Sequence, residues 1–187
     1  MQFRLIIQTL KPYLPQVKDW INDLLRQHSP LVKPLSDFTF QRLPKYYSRD
    51  LINSTKIIVV DKIPMIPLAD MGLIQFGNFE KLDATGVTYL NTIFVRSDCQ
   101  KEEWLYFHEL IHILQWRAFG CDDFLLLYGL GLFQWQDDYS KTPLEVMAYE
   151  NQDIFQKFNI PFNVEGKLTF QIERYKTLIE RLKNPTT

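Results

Sequence analysis

Lys101-Glu102-Glu103-Trp104-Leu105-Tyr106-Phe107-His108-Glu109-Leu110-Ile111-His112-Ile113-Leu114-Gln115-Trp116 contains no glycine or proline and reads as an uninterrupted helix. Residues four apart on a helix share a face one turn apart, so the imidazoles of His108 and His112 point the same way. Two such imidazoles can occupy two corners of a zinc tetrahedron, with ring nitrogens about 2 Å from the metal. Glu109 projects about 60° round the helix from His112, on the same side, where its carboxylate can hold a water on the metal without being a ligand.

The competing structural reading is two histidines packed or hydrogen-bonded on the buried side of an amphipathic helix. Two features weigh against it. His28 is the only other histidine in the chain and lies far away, so the pair is a concentration. Glu109 also sits among apolar neighbours (Phe107, Leu110, Ile111, Ile113, Leu114), where an acid has no purely structural reason to be.

Outward from this helix, Ser97 or Asp98 is expected as its N-cap, and Glu102 and Glu103 suit the positive end of its dipole. Gly120 is expected to stop it, followed by an apolar segment from Asp122 to Trp135, helical with a kink at Gly129 to Gly131. Upstream, the stripe Leu14, Val17, Trp20, Ile21, Leu24 and Leu25 predicts a helix over 13–27, with His28 as a surface or capping residue. Lys56 to Val60 reads as a buried strand. Gly72 to Phe79 and Val87 to Val95 read as two further strands joined by the turn-rich stretch 80–86, most simply as an antiparallel pair. Downstream, Thr142-Pro143 predicts an N-cap and first-turn proline for a helix from Leu144 to Phe158, and a final amphipathic helix spans about 168–183.

With 187 residues, 46% hydrophobic and 23% charged, the chain suits a single domain over 1–187, its core roughly 55–160 with helical extensions at both ends. A net charge of −1 with scattered basic residues gives no case for a nucleic-acid or anionic-membrane partner. Cys99 and Cys121 are too few for a disulfide framework and are expected as thiols. Leu5-Ile6-Ile7 is followed by Gln8, Lys11 and Pro12, so no secretory h-region develops, and the apolar run Phe124–Phe133 is half a membrane span. A cytoplasmic location is the expectation; oligomeric state is not readable.

A third metal ligand must come from elsewhere, and no histidine remains downstream. Glu145, early in the helix predicted after Pro143, is the leading choice; Glu150, about 140° further round, and Asp137 and Asp138, in the preceding loop, are the rivals. Tyr149 lies four residues beyond Glu145 on the same face, where it can reach a substrate oxyanion, and Ala148 is small enough to let the two helices approach. Helix-borne His-Glu-x-x-His is the pattern of zinc-dependent peptidases. With Glu145 following, the sequence resembles the gluzincin branch of these enzymes. It looks more specifically like small bacterial zincin domains, with a strand Asn91-Thr92-Ile93-Phe94-Val95 before the motif and Glu145-x-x-Ala148-Tyr149 after it. The resemblance covers roughly residues 86–150.

It implies an α+β, zincin-like fold: a small antiparallel or mixed sheet on the motif helix, with further C-terminal helices. It also implies that the 91–95 strand edges the cleft and pairs with extended substrate. The expected activity is a zinc metallopeptidase acting on a peptide or protein substrate, with His108, His112 and Glu145 on zinc, Glu109 as general base and Tyr149 assisting. The alternative is a catalytically inactive, zinc-stabilised binding module of the same fold, for which a fourth protein ligand from Cys99 or Cys121 would speak.

Overall fold

The computed structural model describes residues 2–136 and 138–183, so Asp137 lies outside the described residues. Seven α-helices are present among them: α1 (Gln2–Leu10), α2 (Leu14–Gln27), α3 (Arg49–Ser54), α4 (Gly77–Glu80), α5 (Glu103–Gln134), α6 (Pro143–Lys157) and α7 (Val164–Lys183). The strands are β1 (Lys33–Pro34), β2 (Lys56–Val60), β3 (Gly86–Tyr89) and β4 (Thr92–Arg96), in the order β1-β2-β4-β3. β2 and β4 run parallel with Ile57 opposite Ile93 and Ile58 opposite Phe94, and the other two pairings are antiparallel. Ile57, Ile58, Ile93, Phe94 and Val95 are fully buried, as the β-branched and aromatic character of the central pair requires. This mixed sheet, packed on helices with the His-Glu-x-x-His segment on the long α5, is a zincin-like α+β architecture.

Several local expectations need correction. Gly72 to Phe79 is not a strand: a 3-10 turn over Ile74–Phe76 leads into α4. Leu73, Phe76 and Phe79 are buried while Ile74 is 77% exposed, so the burial repeats every three residues, as a helical turn demands and a pleat does not. The antiparallel partner of β4 is instead β3, within a tight hairpin whose bend at Leu90 has a positive φ of 59°. The Asn91 carbonyl accepts from Lys56 N–H at 2.9 Å, which docks that bend on the start of β2. The strand at the cleft edge is therefore β3, and the 91–95 stretch lies inside the sheet.

α5 does not end at Gly120. The chain breaks direction there (φ 71°, ψ 173°) and continues helically to Gln134. Gly129 and Gly131 are helical and make room for neighbours instead: a Cβ on Gly129 would come within 2.9 Å of Leu10 Cδ1 on α1, and one on Gly131 within 2.8 Å of Thr142 Cβ. Neither Ser97 nor Asp98 caps α5. They belong to a separate 3-10 turn, Asp98 pairs with Arg96 at 2.7 Å, and α5 begins four residues after Cys99. α1, which buries Ile6, Ile7 and Leu10, adds to the elements expected from sequence. α6 starts at Pro143 as expected, and α7 begins a turn earlier than expected, at Val164.

Candidate metal centre

The first half of α5 presents His108, Glu109 and His112 to the interior, all buried, and α6 packs across it with Ala148 fully buried between them. One turn into α6, Glu145 faces the two imidazoles. Its Oε2 lies 3.2 Å from His108 Nε2, and its Oε1 lies 3.4 Å from His112 Nε2. The two Nε2 atoms are 3.1 Å apart. One ligand atom from each of the three residues falls within 4.8 Å of the others, the one such cluster among the described residues. Glu150 is exposed and takes no part, and Asp138 is committed to Lys141 at 2.8 Å and Ser140 at 2.8 Å.

Hydrogen bonds behind the histidines orient them. The Gln115 amide donates through Nε2 to the Leu144 carbonyl at 2.9 Å, so its Oε1 must face His112 Nδ1, 2.8 Å away. Gln152 Oε1 sits likewise 2.9 Å from His108 Nδ1. With both Nδ1–H groups donated to amide oxygens, the Nε2 lone pairs of the neutral rings face each other and Glu145. Two lone pairs and a carboxylate converging in a buried space repel unless positive charge, a proton or a metal ion, stands between them. The donor set therefore fits zinc, which favours imidazole nitrogen and carboxylate oxygen and leaves a position open in a three-ligand site. Electrostatics say the same. Burial alone would depress the His112 pKa, but Glu145, helped by Glu109, pushes it up to about 9. Burial alone would raise the Glu145 pKa, yet the imidazoles of His112 and His108 hold it far below the ordinary carboxylate range.

The chain matches no protein-family model, no curated protein and no solved structure. The side chains themselves decide. Their arrangement matches an HExxH-type zinc-binding triad typical of gluzincin metallopeptidases. A buried, coordination-competent His/His/Glu cluster of this geometry is consistent with a catalytic zinc site for peptide-bond hydrolysis and supports assignment as a zinc metallopeptidase.

Glu109 stands beside the His/His/Glu triad without belonging to it. Its Oε2 accepts from the Thr88 hydroxyl on β3 at 2.7 Å. Burial raises its pKa, with the two imidazoles and Thr88 opposing. Gly86 on β3 is what lets the carboxylate fit: a Cβ there would lie 2.8 Å from Glu109 Oε1 and 3.0 Å from Leu105 Cδ1. Tyr149 places its ring against His108, centroids 4.6 Å apart, and its hydroxyl 3.2 Å from that of Tyr139.

Sequence reading missed Tyr128, whose hydroxyl donates to Glu145 Oε1 at 2.7 Å. It missed Thr88, Gly86 and Gln152 as well. Spacing offers no signal for Tyr128 or Thr88, because only the break at Gly120 and the β3 hairpin bring them to the site. Cys99 and Cys121 are unpaired thiols outside the triad, and His28 caps α2 with Nδ1 3.0 Å from the Leu24 carbonyl.

The triad, Glu109, Thr88, Tyr128 and Tyr149 open onto one cavity of about 400 Å³. Its other walls are apolar: Leu10, Leu14 and Val17 from the N-terminal helices, Leu73, Phe76 and Phe79 from the segment before β3, and Phe124, Leu125 and Leu132 from the second half of α5. These last three belong to the apolar segment that follows Gly120. No helix among the described residues is long and apolar enough to cross a membrane.

Proposed function

We propose that this chain hydrolyses peptide bonds, with His108, His112 and Glu145 holding zinc and Glu109 serving as general base. The observation that carries the reading is Glu109: a buried carboxylate beside the ligand cluster, held by Thr88 and given room by Gly86, with a pKa displaced upward. A site built only to hold metal has no use for it. When bound, zinc supplies Lewis acidity, which lowers the pKa of water and polarises a carbonyl.

The protein's own groups do the rest. Thr88 takes up Glu109 Oε2, so proton exchange is assigned to Oε1, which receives a proton from the attacking water and passes it to the leaving amine. Tyr149, with Tyr139 behind its hydroxyl, donates to the oxygen that gains negative charge. β3, the edge strand, offers backbone groups to an extended substrate. The apolar cavity is large enough for bulky side chains beside the scissile bond, so the preferred substrates are peptide segments rich in Leu, Phe or Trp.

The test is cleavage of a quenched-fluorescence peptide library by zinc-loaded wild type and Glu109→Gln. Wild type should cut peptides with bulky apolar residues beside the scissile bond. The variant should keep its zinc while cleaving slower by about 10²- to 10⁴-fold, the range general acid–base catalysis supplies. Equal cleavage by the variant would refute the role of Glu109, and wild type that cuts nothing would point to the inactive, zinc-stabilised module.

A further inference from the structure

Tyr128 lies sixteen residues beyond His112, in the second half of α5, and its hydroxyl nevertheless meets the third ligand. At 2.7 Å it donates to Glu145 Oε1, which also lies 3.4 Å from His112 Nε2, while Oε2 of the same carboxylate carries no such donor and lies closer to an imidazole, 3.2 Å from His108 Nε2. We infer that Tyr128 is a positioning residue: by occupying one carboxylate oxygen, it presents Glu145 to the metal through the other oxygen alone.

Three observations support this. The Tyr128 ring is held in place by Phe124 and Phe79, at centroid distances of 5.9 and 5.7 Å, so the hydroxyl is delivered by a fixed support. The neighbouring Gly129 admits Leu10 of α1 at close range, which pins this stretch of helix against the rest of the fold. The carboxylate that accepts this bond is itself buried, so bulk water does not replace the hydroxyl as its donor. A carboxylate free to turn could grip a metal with both oxygens and close the position that water needs; a donor on one oxygen takes up one of its lone pairs and weakens it as a second ligand. The two glutamines do the same for the histidines, so each member of the triad has one partner that fixes which atom it offers.

This rests on the zinc reading, and the test separates the two. Zinc affinity is measured by competition with a chromophoric chelator for wild type and Tyr128→Phe, which keeps the ring and removes only the hydroxyl. Cobalt(II) is then substituted and its visible absorption recorded. The expected result is a zinc dissociation constant raised about 10- to 100-fold, typical of lost outer hydrogen bonds to a ligand. The cobalt bands should also weaken, as they do when a four-coordinate site gains a fifth donor. Unchanged affinity and an unchanged cobalt spectrum would overturn the inference, and so would unchanged affinity with slower turnover, which would place the hydroxyl on substrate instead. Should Tyr128→Phe fail to fold by circular dichroism, Tyr128→Met, which also lacks the donor but packs flexibly, carries the same measurement. If wild type binds no zinc, the zinc reading itself falls.

Discussion

At the scale of single residues, the geometry around Glu109 is set by what is missing from Gly86. The hydrogen that stands for a side chain there leaves space that a methyl group would take from the carboxylate, with Leu105 closing the other side. Thr88, two residues along the same strand and pointing to the same face, then fixes the remaining oxygen. Gly86→Ala is expected to displace Glu109 by a fraction of an ångström to an ångström, leave zinc bound, and lower kcat on the order of 10²-fold, since catalysis is that sensitive to misplacement. Steady-state kinetics with metal analysis on the same sample checks it. Undiminished turnover would show that the base does not depend on this notch.

At the scale of elements, α5 carries most of the site because it is two helices in one. The left-handed φ of Gly120 turns the chain so that its second half folds back over the triad and delivers Tyr128. A Cβ at that position meets nothing within 4 Å, so Gly120→Ala has no clash to resolve, only backbone strain of about 1–2 kcal/mol. For a chain of this length that amounts to a Tm lower by roughly 2–8 °C, read by calorimetry. Gly120→Asn should fall as far, because this φ and ψ lie outside the left-handed helical region that asparagine tolerates.

The same helix shows where sequence was legible and where it was not. Its first half could be read because sixteen residues run without a breaker and place two histidines on one face, and α6 because Thr142-Pro143 marks its start. The fate of Gly120 could not, because stopping a helix and bending it call for the same residue. Nor could the 72–79 run, where an apolar stretch of that length fits strand or turn equally until Leu73, Phe76 and Phe79 find their partners. Placing 91–95 at the sheet edge failed because strand order follows from the parallel β2–β4 pairing, which no local pattern encodes. The ligands were readable through spacing, whereas Tyr128, Thr88 and Gln152 come from tertiary contacts alone.

At the scale of the molecule, metal, proton and stability are linked. In the metal-free protein His112 has a pKa of about 9 against an ordinary 6.5, so its folded-state proton stabilises the protein fully below pH 6.5 and that contribution is lost as pH rises through 9. Zinc needs the same nitrogen unprotonated, so near pH 7 its binding should release about one proton and grow tighter with pH until about 9. Both effects have the same sign: the gap in Tm between zinc-loaded and chelated protein should widen from pH 6.5 to 9. A gap that stays constant would mean that His112 does not exchange a proton for metal. The most direct measurement is zinc stoichiometry by mass spectrometry of wild type, Glu109→Gln and Glu145→Ala purified in parallel. One ion per chain in the first two and well below one in the third is the expected result; a metal-free wild type, or full occupancy in Glu145→Ala, would contradict the His108–His112–Glu145 site.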